Sequence, residues 1–237
     1  MYKSVVAFLS ILLLVSCTEK KSTKNFVLTG NVKGLKEGTL YIQRIKDTLL
    51  VPIDTIKING DSHFASEFDL QSSEMLYLFL DRGVTNSVDN NITFFAEKGT
   101  MNIETSLDFF TSDAKITGSK NQELYDEYRK VVSRYVDQDI ELLQKKIKAY
   151  QANKTDEVAK IDEEQRSILK RKYLYTTNFA VNNGDYEVAP YVALAEIYDI
   201  NLKYLDTIQK TMSPKVAQSL YGKKLNEFIA ARKKDGK

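Results

Sequence analysis

Side-chain chemistry needs nucleophiles, proton carriers or ligands held close together, and this 237-residue chain has few. It contains one Cys, Cys17, and one His, His63. A single Cys excludes an internal disulfide, a CxxC redox pair and a Cys-rich zinc site, and a single His excludes a two-His centre of the HExxH kind. No Ser stands in a G-x-S-x-G elbow and no G-x-x-x-x-G-K-[ST] loop is present. His63 follows a turn signal and reads as a surface or packing residue. Asp137, Asp139 and Glu141 alternate, which sends them to different faces of a helix. Asp162, Glu163 and Glu164, between Lys160 and Arg166, read as a solvated charged face. Asp81, Asp89, Asn90 and Asn91 supply oxygens that could hold Ca²⁺, without the EF-hand spacing. These residues define no catalytic site, cofactor site or metal site, so the expectation is a protein that is not an enzyme.

Cys17 has a more specific context. Lys3 is followed by an apolar run from Val5 to Val15, broken only by Ser10. A positive residue before such a run is the layout of a secretory signal peptide, and the run is shorter than the roughly 20 residues a membrane span needs. The run ends Leu14-Val15-Ser16-Cys17, which resembles the bacterial lipobox. That resemblance implies diacylglyceryl transfer to the Cys17 sulfur, cleavage before it and acylation of the new amino group. Several acyl chains would hold the protein on a membrane stably. Residues 1–16 are then a lipoprotein signal peptide. Residues 17–25, with no apolar side chain after Cys17, are a polar tether.

The elements that follow fall into two patterns. Over residues 26–118 the apolar runs are short and strand-like: Phe26 to Val32, Thr39 to Ile45, Val51 to Ile58, His63 to Phe68, Met75 to Asp81 and Asn91 to Glu97, with shorter ones at Met101 to Glu104 and Ala114 to Thr117. Seven of the ten glycines lie here, where turns need them. Asn59-Gly60 fits a type I′ hairpin turn joining Val51–Ile58 to His63–Phe68. Pro52 places the start of its strand at an edge or bulge. The spacing predicts an antiparallel β-sandwich or partial barrel.

From Ser119 the period becomes helical. Ser119 and Gln122 form an S-x-x-Q capping box behind Gly118. Leu124, Tyr128, Val131 and Tyr135 make an apolar stripe, continued after a one-residue shift by Val136, Ile140, Leu143, Ile147 and Tyr150. Thr155 reads as the cap of a second helix that stops at Asn182-Asn183-Gly184. Pro190 begins a short third helix, Asn201 to Thr211 gives a fourth, and Ser213-Pro214 starts the last. The fold class is therefore α+β, with a C-terminal α-helical bundle over residues 119–237.

The segment Phe26-x-x-x-Gly30-x-Val32-x-Gly34-Leu35, then Gly38-x-Leu40-Tyr41 and Asp54-Thr55-Ile56, is similar to domain of unknown function 4369. Ile92-x-Phe94-x-Ala96-Glu97-x-Gly99 and Ile116-Thr117-Gly118-Ser119-x-x-Gln122 extend the likeness. The resemblance implies a β module behind a lipoprotein signal in Bacteroidota-type envelopes, often followed by helices and a thioredoxin-like domain. Ser219 to Leu225 looks like the helix leading into such a domain. The residues to Lys237 contain no CxxC, so the family's redox chemistry is not carried over.

Charge adds little. The chain carries +2 overall, with no pull toward nucleic acid. Eleven of fourteen Tyr lie after Ser119; at helical spacing they fill bundle seams rather than line a binding groove. The layout implies a non-catalytic envelope lipoprotein whose partners are a membrane, through its anchor, and an envelope protein or glycan. Thr18 after Cys17 favours the outer membrane, facing the periplasm. Two other readings are an accessory of a thiol–disulfide oxidoreductase on another chain, and a carboxylate enzyme such as a glycan hydrolase.

Overall fold

The computed structural model describes residues 23–83 and 88–236. Cys17, the leader 1–16 and the first part of the tether lie outside the described residues. In chain order β1 (Phe26–Lys33), β2 (Glu37–Lys46), β3 (Leu49–Asn59), β4 (His63–Phe68), β5 (Glu74–Asp81), β6 (Asn91–Ala96), β7 (Gly99–Ser106) and β8 (Lys115–Thr117) come first. They are followed by α1 (Lys120–Gln151), α2 (Thr155–Asn182), α3 (Val188–Glu196), α4 (Leu202–Thr211), α5 (Pro214–Ala217) and α6 (Leu220–Lys234).

The strands form two four-stranded sheets, ordered β4-β1-β7-β8 and β3-β2-β5-β6. Alternation along each strand sends one set of side chains between the sheets. Phe26, Leu28, Leu40, Ile42, Leu76, Leu78, Phe94, Met101 and Ile103 meet there and are fully buried. Gly30 sits where β1 is squeezed hardest. A Cβ there would lie 2.3 Å from the Ile103 carbonyl oxygen and 2.5 Å from the Phe64 ring.

The expected β-sandwich followed by helices is what forms, with one parallel pairing among five antiparallel ones. The sandwich is mixed, because β1 and β7 run parallel, Phe26 opposite Gly99 through Lys33 opposite Ser106. The chain crosses from β6 in one sheet to β7 in the other and enters β1's free edge at Gly99, whose N–H donates to the Asn25 carbonyl at 2.9 Å. Asn59-Gly60 does not close the expected hairpin. β3 pairs with β2 and β4 pairs with β1, so that turn carries the chain from one sheet to the other. Its Gly60 N–H is satisfied by the Lys36 carbonyl at 2.7 Å. The hairpin is β2–β3, turned by Asp47-Thr48 with Asp47 at φ +58°. Pro52 lies on the edge strand β3 beside a bulge between Ile42 and Gln43 of its partner, as its missing N–H requires.

The helical half starts where the sequence places it. Gly118 turns the chain at φ +95°, and a Cβ there would meet the Thr100 carbonyl oxygen at 2.2 Å. The Ser119 hydroxyl then accepts the Gln122 N–H at 3.0 Å. The box closes on one side only, because Gln122 Oε1 accepts instead from the Phe95 N–H at 2.6 Å. Thr155 is the first helical residue of α2 and Lys154 is its cap, without a side-chain bond. Ser213-Pro214 starts only the single turn of α5. A second cap at Ser219, whose hydroxyl donates to the Val216 carbonyl and accepts the Gly222 N–H, starts α6 anew.

Candidate functional site

The junction between the sheets and the helices is a locked polar knot. Asn121, fully buried in the first turn of α1, donates its side-chain N–H groups to Glu97 at 3.2 Å and Glu187 at 3.0 Å. Its carbonyl oxygen accepts the Val188 N–H at 2.9 Å. Glu97 also accepts from the Ser119 hydroxyl and the Asn121 N–H, so one carboxylate caps the start of α1. Each of these groups is already bonded, which makes the knot a fastener between β6, α1 and α3.

Beside it the tyrosines gather. Alternation on β5 and β6 turns Met75, Tyr77 and Phe95 away from the sandwich and toward the helices. Phe95 packs edge-on against Tyr191 and Tyr221, with ring centres 5.6 and 5.9 Å apart, and Tyr191 also meets Tyr125 at 5.8 Å. The Met75 N–H donates to the Tyr221 hydroxyl at 2.9 Å, and Tyr128 shares a 2.9 Å bond with Thr176. Burial pushes the hydroxyls of Tyr128, Tyr191 and Tyr221 well above the ordinary range. On these residues the expectation of tyrosines as seam filling is what the structure shows. Glu74, at the edge of the same junction, pairs with Arg44 at 3.1 Å. Its carboxyl is nevertheless pushed up, because burial outweighs the pull of Arg44 and Lys224.

The open surface lies at the far end of α1 and α2. There Leu142, Ala149, Val158, Ile161 and Ile168 form a small core drawn from these two helices alone, with Tyr135 against it. These distal turns form an arm. The face of α1 turned to α2 follows 128, 132, 135, 139, 142, 146 and 149. The stripe Val136, Ile140, Leu143, Ile147 and Tyr150 is therefore left exposed, contrary to the expectation that it continues a buried one. The one-residue shift is the cause, since each residue turns about 100° around the helix.

A groove of about 380 Å³ runs along this side of the arm, lined by Tyr135, Val136 and Asp139 of α1 and by Asp162, Arg166 and Leu169 of α2, among others. Asp139 accepts from Gln165 at 2.8 Å. Asp162 pairs with Lys146 and not with its sequence neighbours Lys160 or Arg166. That carboxylate holds the Lys146 ammonium above its ordinary value. The groove offers apolar walls with a paired, charged rim, a surface suited to docking.

The other sequence candidates are dispersed. His63 is exposed, with Nδ1 2.7 Å from Asp61. Asp137 and Glu141 are exposed on α1. Asp81 accepts the Gly83 N–H, and residues 84–87 of the loop to Asp89 lie outside the described residues. Among the described residues there is no cluster of three or more His, Cys, Asp or Glu able to hold a metal, and no helix long and apolar enough to cross a membrane. Sequence reasoning missed the knot, although Glu97, Ser119 and Gln122 stand among the positions that carry the family resemblance.

Comparison with curated proteins and with solved structures finds no match to the chain. A family model does match residues 26–125, running past β8 to take in the cap and first turn of α1 with Ser119, Asn121 and Gln122. The family whose model matches that segment is described as Domain of unknown function (DUF4369).

Proposed function

We propose that this protein is a membrane-anchored envelope lipoprotein, held by acyl chains on Cys17, that acts as a non-catalytic binding or scaffold module presenting its α1–α2 arm. The observation that carries the reading is the exposed stripe of five large apolar residues on the arm. Single exposed hydrophobics are ordinary, whereas a contiguous apolar strip with a polar rim marks a contact surface. Leu14-Val15-Ser16-Cys17 supports the anchor, and the polar stretch from Thr18 to Asn25 gives the tether. The outer membrane, facing the periplasm, is the proposed address.

Metabolic labelling with a fatty-acid analogue tests the anchor. The wild-type protein takes the label and sediments with membranes, and Cys17→Ser abolishes labelling and leaves an uncleaved or soluble form. Labelling that persists in Cys17→Ser sinks the anchor. For the arm, a photo-crosslinking residue at Ile147 in intact cells should give adducts that the same residue at Glu163 does not. Equal yields at the two sites sink the arm as contact surface.

A further inference from the structure

We infer that the exposed face of α1 is a self-association seam, on which the α1 of a second copy of this chain packs antiparallel about a twofold axis at Leu143. This rests on the arm being a contact surface and names its occupant.

Spacing comes first. Val136, Ile140, Leu143, Ile147 and Tyr150 are separated by 4, 3, 4 and 3 residues. This is the a/d repeat by which one helix meets another along its length. They are 45%, 48%, 47%, 49% and 60% exposed. The adjacent face of α1 already holds α2, so the helix carries two seams and α2 occupies one. The open seam has definite ends. One repeat earlier its positions fall on Arg129 and Ser133, and after Tyr150 the helix ends at Gln151. Leu143 is its middle residue. An antiparallel partner centred there sets Val136 against the partner's Tyr150 and Ile140 against the partner's Ile147, and no apolar residue is left over. Sliding by a whole repeat would strand two of the five on each copy.

Charge selects the direction. Asp137 flanks the first half of the seam and Lys148 the second, and both are exposed, whereas Asp139 and Lys146 are turned to α2, on Gln165 and Asp162. Antiparallel packing brings Asp137 to the partner's Lys148. Parallel packing sets like against like, which is unfavourable across a helix pair. The same patch on both copies is an isologous contact, which closes at a dimer and leaves no free end to grow a filament. Stable interfaces bury about 800 Å² per partner. Four turns of helix fall at or below that, so the dimer forms and dissociates with concentration.

The test uses the full chain in mild detergent with Cys17→Ser, so that each introduced thiol is the only one. Under mild oxidation Leu143→Cys should link to itself. Val136→Cys should not, yet should link to Tyr150→Cys when the two are mixed. Sedimentation should show a concentration-dependent dimer that Leu143→Glu removes, Lys148→Glu weakens several-fold, and Asp137→Lys with Lys148→Glu restores. Circular dichroism confirms that these surface variants stay folded. A chain that remains monomeric at every concentration overturns the inference. So does a dimer indifferent to Leu143→Glu, or Val136→Cys linking to itself. If the Ile147 crosslinker yields a different protein while the purified chain stays monomeric, the arm survives as a contact surface and self-pairing does not.

Discussion

The first four turns of α1 and the last four use the same kinds of residue and meet different surroundings. At the root, Leu124, Tyr128 and Val132 press into a core shared with β5, β6, α2, α3 and α6. Polar side chains there are buried and bonded, as Asn121 and Gln122 are. On the arm, α1 has α2 alone as neighbour among the described residues, five small contributions make up the core, and the polar groups are rim contacts such as Gln165 to Asp139. Most helical stability in a protein comes from packing; packing on several elements fixes the root of α1, and a single partner steadies the rest. The root carries stability, and the arm is the part whose surface is free to be used.

The sharpest way to break that contrast is to truncate one residue from each part. Tyr128→Ala removes a fully buried ring and its bond to Thr176, and should cost about 3–5 kcal/mol. Leu143→Ala, on the exposed stripe, should stay within about 0.5 kcal/mol. Urea unfolding followed by circular dichroism measures both, and equal losses would show that the arm is as tightly packed as the root.

A polar pair repeats the test with a smaller step. Asn121→Leu keeps the volume and takes a bond from buried Glu187 and from the buried Val188 N–H, whereas Glu97 keeps the Ser119 hydroxyl and the backbone N–H of residue 121. Each unsatisfied group costs about 1–3 kcal/mol, so a total loss of at least about 2 kcal/mol is expected. Gln165→Leu, which breaks the arm's rim bonds to Asp139 and from Lys146, should change stability by less than about 0.5 kcal/mol. If Asn121→Leu is the milder of the two, the knot is not a fastener.

How much of this was legible follows the range of the interaction concerned. Gly118-Ser119, Asn201 and Ser213-Pro214 act on their own next few residues, and each marks a helix start where the structure has one. Pro52 marks an edge for the same local reason, its missing N–H. Asn59-Gly60 announces a turn equally well, but which strand pairs with which is settled by β1 and β2 far along the chain. The two stripes of α1 are both visible as sequence. Which one is covered depends on how α2 returns alongside, and that is set by Leu142 and Ala149 meeting Val158 and Ile161. The knot was invisible because Glu97, Asn121 and Glu187 lie far apart in sequence, and a lone Asn in a helical first turn looks like any polar residue.

Alkaline titration probes the root through its tyrosines. Burial holds the hydroxyls of Tyr128, Tyr191 and Tyr221 protonated far longer than in the unfolded chain. The folded state thus binds these protons more tightly, so their contribution is intact below the ordinary tyrosine pKa of about 10 and is lost as pH rises above it. Tyrosinate absorbance should show a late part, from these three buried rings, that coincides with loss of circular dichroism. A single smooth titration with the fold intact would mean that the seam admits hydroxide and is looser than its ring contacts imply.

The smallest effect sits at the edge of the root, and its sign is the informative part. Glu74 is 9% exposed and paired with Arg44, which at a surface would lower its pKa. Burial is the larger influence, and Arg44 and Lys224 offset only part of it, so the carboxyl sits above its ordinary value. Below the unfolded pKa both states keep the proton and the folded state gives up nothing. As pH rises the unfolded chain ionises first, and stability falls until the folded carboxyl has ionised too. Glu74→Gln removes that fall. Its effect at any one pH also includes a changed partner for Arg44, whose Nε is buried without a bond among the described residues, so the quantity to follow is the difference between variant and wild type from about pH 4 to pH 7. That difference should move in the variant's favour with rising pH. Movement the other way would mean that the Arg44 pair outweighs burial, and that the root gains from this charge where the structure has it bearing a cost.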